Sequence, residues 1–129
     1  MILAIRTDSD QAELGLVDAS GRAVKYISWP AGRTLSAQLH QKLEELLVSS
    51  NTGLDKLEGL VFFEGPGSFT GLRVGAVVAN TLATELGIGI AAGSGEKWIE
   101  QALQKLQKNP KKIILPNYGR PARTTRPRK

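Results

Sequence analysis

The segment Gly65-Pro66-Gly67-Ser68-Phe69-Thr70-Gly71-Leu72-Arg73-Val74-Gly75 constrains this chain more than any other. The apolar run Leu60-Val61-Phe62-Phe63 leads into it, and an alanine- and valine-rich stretch, Ala76 to Leu86, follows. That order predicts a strand, a glycine turn and a helix. Gly65 and Gly67 permit backbone angles that a side chain forbids, and Pro66 sets one φ between them. Ser68 or Thr70 is placed to cap the helix by accepting a bond from a free backbone N–H. The turn then presents a helix N-terminus, with its partial positive charge, at the carboxyl end of a strand.

Two readings of the turn stay open. Gly65, Gly67, Ser68 and Thr70 are candidate phosphate contacts, because a glycine-rich turn at a helix start can cradle an anion. The other reading is a tight strand-to-helix connection with no ligand. No Gly-Lys-Ser/Thr triplet occurs, so this is not a Walker loop, and the third glycine of a dinucleotide fingerprint, Gly71, comes one residue late.

The helix that follows carries a second pattern. Gly71, Gly75, Ala79 and Ala83 recur every fourth residue and form one slowly drifting stripe of small side chains. Leu72, Val74, Val77, Val78, Leu82 and Leu86 occupy most of the rest, so the helix is apolar on nearly all sides and is expected to be buried on more than one. A small-residue stripe admits close approach of another backbone. It packs either on this chain's own sheet or on a helix of another chain.

Length and charge bound the rest. The chain has 129 residues, enough for one domain with a modest core, and no cysteine, which excludes disulfides, thiolate metal sites and a cysteine nucleophile. Compatibility with a reducing cytoplasm follows, and the opening Ile2-Leu3-Ala4-Ile5 reads as a strand rather than a signal peptide. No apolar run nears the roughly 20 residues that span a bilayer. Residues 1–104 hold 8 Lys/Arg and 12 Asp/Glu, a net of −4, whereas residues 105–129 hold 9 Lys/Arg and no acid, a net of +9. The basic balance is therefore a property of the C-terminal end. Arg120, Arg123, Arg126, Arg128 and Lys129, mixed with prolines, are candidate RNA phosphate contacts, or a solvated tail, or a dock for an acidic partner.

Residues 2–6, 13–18 and 23–28 read as three short strands joined by the turns Asp8-Ser9-Asp10 and Ala19-Ser20-Gly21, an antiparallel meander. A helix over 34–49 follows, with Thr34 or Ser36 as its cap and a stripe of Leu35, Leu39, Leu43, Leu46 and Leu47. A strand is expected at 59–63, a helix at 69–86 stopped by Gly87, a strand at 88–91 and a helix at 94–108. Ile113-Ile114-Leu115 adds a strand or docks on the body. The division expected is a lobe over 1–108 and a basic tail over 109–129. The order βββαβαβα with a mixed five-stranded sheet is that of a single α/β, ribonuclease-H-like lobe.

Catalytic groups are scarce. His40 is the single histidine, which excludes a Ser-His-Asp triad and a multi-histidine metal site within one chain. Asp8 and Asp10 share a turn, which turn formation explains; a magnesium ion there is the competing reading. Strand one carries Arg6, a cation, which argues against a metal. Glu64 is placed to accept from N–H groups or a partner's cation. Trp29 and Trp98 read as core residues.

The eleven residues from Gly65 to Gly75 match, residue for residue, the signature of the TsaB/YeaZ family, the dimerisation subunit of the bacterial tRNA threonylcarbamoyladenosine synthesis complex. Pro116-Asn117-Tyr118-Gly119-Arg120 resembles that family's Pro-x-Tyr-x-Arg motif. The resemblance implies an actin/Hsp70-like fold and a non-catalytic cytoplasmic partner that supports threonylcarbamoyl transfer to the adenosine beside the anticodon. It implies pairing with a catalytic TsaD-like paralogue through the lobe's two helices, a small TsaE-like ATPase in the assembly, and ATP and metal on those partners rather than on this chain. A homodimer through the same face is a second expectation. The implied interface is Gly71, Leu72, Arg73, Gly75, Val78, Ala79, Asn80, Leu82 and Ala83. Two departures stand out: Arg6-Thr7-Asp8 replaces the family's Asp-Thr-Ser, so nucleotide-magnesium binding by this chain is not expected, and the length suits one lobe where the family has two. The competing functions are a minimal magnesium-dependent ribonuclease-H-like nuclease, a phosphate-binding ATPase lobe, or a tail-driven RNA-binding module.

Overall fold

The computed structural model describes residues 1–117. Tyr118 and the candidate RNA contacts Arg120, Arg123, Arg126, Arg128 and Lys129 lie outside the described residues. The elements in chain order are β1 Ile2–Arg6, β2 Gln11–Val17, β3 Ala23–Pro30, α1 Leu35–Ser49, β4 Gly59–Phe63, α2 Phe69–Leu86, β5 Gly89–Gly93 and α3 Trp98–Lys108. They form one sheet in the order β3-β2-β1-β4-β5. The meander β1-β2-β3 is antiparallel, and β1, β4 and β5 run parallel to one another. This is the expected mixed five-stranded ribonuclease-H-like lobe.

Alternation along the strands divides the core between two faces. Leu3, Ile5, Leu14, Leu16, Leu60 and Phe62 meet the leucines of α1 and the inner side of α2. Ile2, Ala4, Val17, Val61, Phe63 and Ala91 meet Trp98, Ala102 and Leu103 of α3. Because helices cover both faces, Ile2 to Ile5 of β1 and Leu60 to Phe63 of β4 form apolar runs rather than alternating. Trp29 and Trp98 are both core residues; Trp98 meets Phe63 edge-to-face at 5.7 Å.

The bounds of β2, β3, α1, β5 and α3 differ from the expected ones by one to four residues, and the expected α1 cap is absent. α3 starts at Trp98 rather than 94 because Gly95 takes φ +82°, a left-handed turn that delays the helix. α1 has no side-chain cap: the Thr34 hydroxyl instead donates to the Ala31 carbonyl at 2.6 Å. β3 runs on to Pro30, which pairs with Gln11; β3 is an edge strand, where proline is tolerated. Gly87 ends α2 in the left-handed conformation, as expected.

Tyr26 lies over Gly15, whose backbone leaves room for the ring and none for a Cβ. Its hydroxyl donates to Glu13 at 2.8 Å. Burial first, then the bond to Glu13, push the Tyr26 phenol well above its ordinary value. A raised folded-state pKa keeps its stabilising contribution intact below the unfolded value near 10 and loses it as pH rises further. The chain has two tyrosines. Ultraviolet titration is expected to show one phenol ionising only at strongly alkaline pH, and Tyr26→Phe should remove that late step; a wild-type chain with both phenols titrating normally contradicts the packing.

Candidate functional site

β1 and β4 end side by side, and the chain leaves both at the same edge of the sheet. After β1 it turns through Thr7-Asp8; after β4 it turns through Glu64 to Gly67 and enters α2. The two turns are packed together, and the glycines are what allows it. A Cβ on Gly67 would lie 2.6 Å from the Asp8 backbone oxygen, and one on Gly71 would strike the Thr7 carbonyl. A Cβ on Gly65, which has φ +107°, would meet the Asn117 carbonyl. The backbone groups are tied to match. Ser68 N–H donates to the Asp8 carbonyl at 2.7 Å, and the buried Thr7 hydroxyl donates to the Gly71 carbonyl at 2.8 Å. Of the two expected caps, Ser68 serves: its Oγ accepts from Gly71 N–H at 3.2 Å. The Gly65–Gly75 signature thus builds a close-packed strand-to-helix junction.

Arg6 dominates the electrostatics of this edge. Its Nε donates to the Asp8 carboxylate at 2.8 Å, and its guanidinium lies 4.0 Å over the Phe63 ring. The Asp8 bond, working against burial, raises the Arg6 guanidinium above its ordinary value. The Asp8 carboxylate is therefore already paired with a cation. Asp10 is exposed, and its carbonyl takes the Ala31 and Gly32 N–H groups. Among the described residues no group of three or more His, Cys, Asp or Glu is arranged to hold a metal ion.

The small-residue stripe requires a correction. Gly71, Gly75, Ala79 and Ala83 face inward, and Leu72 and Leu82 are buried with them in the chain's own core. A Cβ on Gly75 would strike the Thr7 hydroxyl and lie 3.0 Å from Phe62. The stripe lets α2 settle onto β1 and β4, so these six residues are not an exposed contact face. Asn80 is also engaged within the chain. Its Nδ2 donates to the Ile114 carbonyl at 2.9 Å, and its Oδ1 accepts from Ile114 N–H at 2.8 Å. Ile114 is 4% exposed, so the described part of the tail, 109–117, packs on the lobe rather than standing apart from residue 108. Asn80→Ala is expected to remove both bonds and leave the buried Ile114 amide unsatisfied, at about 2–3 kcal/mol. Faster amide exchange at 112–117, with little change in β1 or β4, is the signature to look for.

What α2 does present outward is a different row. Phe69, Arg73 and Val77 recur every fourth residue; Phe69 is 59% and Val77 60% exposed. With half-buried Val74 and Val78, and with Ser36 and His40 of α1, they line a shallow groove of about 540 Å³. Of the expected interface residues, Arg73 and Val78 lie here. Thr70, expected in the turn, lies here too. His40, expected as an exposed or interface residue of its helix, joins them; Phe69 and Val77 are absent from the expected interface. Their i, i+4 spacing was present, and it becomes informative once the small stripe is assigned to the core.

The strand order, the paired outer helices and the packed glycine junction define the chain as a ribonuclease-H-like lobe of the actin/Hsp70-like kind. Residues 30–115 match a family model described as "TsaD: tRNA N6-adenosine threonylcarbamoyltransferase". The chain is 35% identical to the tRNA threonylcarbamoyladenosine biosynthesis protein TsaB of Haemophilus influenzae over 82 residues, 64% of this chain and 34% of that protein. It is 32% identical to TsaB of Bacillus subtilis over 93 residues, 72% of this chain and 40% of that protein. YeaZ from Pseudomonas aeruginosa superposes with a TM-score of 0.66 at 28% identity, covering 72% of this chain and 43% of that one.

The chain belongs to the TsaB/YeaZ family. It spans 34% and 40% of the length of these two curated TsaB relatives. No helix among the described residues is long and apolar enough to cross a membrane.

Proposed function

We propose that this chain is a non-catalytic pairing subunit in tRNA threonylcarbamoyladenosine synthesis. It acts by binding a TsaD-type catalytic relative, in the cytoplasm, through the outer faces of α1 and α2. The observation that carries this reading is the exposed row Phe69, Arg73, Val77 beside His40. Two apolar side chains more than half exposed on one helix face, with half-buried Val74 and Val78 beside them, mark a contact surface. An arginine among them suits an interface, where this residue is enriched. The curated relatives are named for biosynthesis of this modified nucleoside, and the family model bears the name of the transferase. The paired Arg6–Asp8 side chains agree with a subunit that leaves ATP and metal to its partners. A TsaE-like ATPase joins the assembly, and the cations from Arg120 to Lys129 add a salt-dependent contact to tRNA.

The face is also suited to a second copy of the chain, since one patch can meet itself across a two-fold axis. The test is the mass in solution of the full chain, alone and mixed with the TsaD-type protein of the same genome, with hydrogen exchange to locate the contact. A mixed complex protecting amides in 36–40 and 69–78 is expected. A chain that stays monomeric beside that protein, or one protected only on α3, overturns the reading.

A further inference from the structure

The second groove of the molecule lies on the opposite side of the sheet from α1 and α2. It holds about 710 Å³ between α3 and the segment 109–117, along the edge of β5. Its floor and far wall are apolar: Ala91, Ala92, Ile113 and Leu115, the last two 56% and 77% exposed. Its rim is cationic, with Lys105, Lys108 and Lys111 against the single carboxylate Glu64.

β5 is the last strand of the sheet, so one row of its backbone groups faces outward. Glu64 N–H donates to the Gly93 carbonyl, which places the odd-numbered residues of β5 toward β4. Ile90 and Ala92 then face the open edge. Ile90 is paired with Lys111 by two backbone bonds of 3.0 and 2.9 Å. That pairing ends there: the chain's own segment turns aside to bury Ile114 beneath Asn80. At Ala92 the carbonyl accepts, among the described residues, from the Lys105 ammonium alone, at 3.1 Å. A started ladder, a next outward position held only by a lysine side chain, an apolar wall and a lysine rim lie within one groove.

We propose that this groove takes an extended segment of another protein, carrying alternating apolar and acidic side chains, added as a strand at the β5 edge. Strand addition would replace the Lys105 ammonium at the Ala92 carbonyl by a main-chain N–H and free that ammonium for an acidic side chain, while alternate side chains fall into the groove and toward the rim. Charge complementarity selects the acids, because three lysines outnumber one carboxylate. The same charge disfavours this chain's own terminus, whose Arg120, Arg123, Arg126, Arg128 and Lys129 would meet like charges. Single-stranded RNA fits less well: among the described residues no aromatic ring lines the groove for a base to stack on. The inference is independent of pairing through α1 and α2.

The probe is a soluble fluorescein-labelled peptide alternating valine with glutamate, compared with its valine–lysine counterpart by anisotropy on the full chain. At least tenfold tighter binding of the acidic peptide is expected, with NMR amide shifts at Ala91, Ala92, Ile113 and Leu115. Those shifts are decisive, since the terminal arginines also attract acid. The double variant Lys108→Glu/Lys111→Glu should reverse the preference, and Lys108→Gln, a milder change, should weaken acidic-peptide binding severalfold. Equal affinity for the two peptides, shifts confined to residues beyond 117, or displacement of the peptide by an RNA oligonucleotide overturns the proposal.

Discussion

Gly71→Ala should cost about 3 kcal/mol of folding stability, although alanine is the better helix former by about 1 kcal/mol. The added Cβ would occupy the space of the Thr7 carbonyl. Thr7 is fully buried at the end of a central strand and cannot retreat without moving β1. Against a total of about 5–15 kcal/mol for a domain, that is a large share. Gly75→Leu adds four carbons where the Thr7 hydroxyl and Phe62 already crowd, and the chain is expected not to fold. The two sites differ in a way that can be measured. At Gly75 the closest obstacle is a side-chain oxygen, so Thr7→Ala should relieve part of the cost of Gly75→Ala. At Gly71 the obstacle is backbone, so Thr7→Ala should relieve nothing. Urea denaturation of the two double-mutant cycles reads the difference as a coupling energy. Strict additivity in both cycles would show that α2 does not rest on Thr7.

Val77→Glu should have the reverse profile. The side chain is mostly exposed, so folding stability should change by no more than about 0.5 kcal/mol. In a complex that buries this face, the carboxylate would be desolvated among Phe69, Val74 and Val78, and an unpaired buried charge costs about 3–5 kcal/mol. Association should weaken by two to three powers of ten, at about 1.4 kcal/mol for each. Arg73 lies one turn away and can offset part of this, so the Arg73→Ala/Val77→Glu pair should be worse than either alone. Sedimentation or calorimetry with the TsaD-type protein measures it. Unchanged affinity in a folded Val77→Glu chain would remove α2 from the interface.

The stripe Gly71, Gly75, Ala79, Ala83 shows where sequence reading stops. Small residues every fourth position announce a close approach, and that much is correct. They do not announce which backbone comes near. The approaching groups are Thr7 and Phe62, and Thr7 lies 64 residues upstream of Gly71. Asn80 is a similar case: a lone amide on a helix carries no sign that Ile114, 34 residues away, will take both its polar atoms. The strands and helices were legible to within two residues at each end, because they rest on local periodicity and on glycine and serine at the turns. The start of α3 was not, because Gly95 acts against an otherwise helical pattern.

From its sequence alone this chain has its strand and helix order, its glycine junction and its place among ribonuclease-H-like lobes, all of which follow from spacing within a few residues. The tertiary structure alone decided which side of α2 is core. A helix apolar on nearly every side has no polar face to orient it. The packing of two glycines against the end of β1 turns Phe69, Arg73 and Val77 outward.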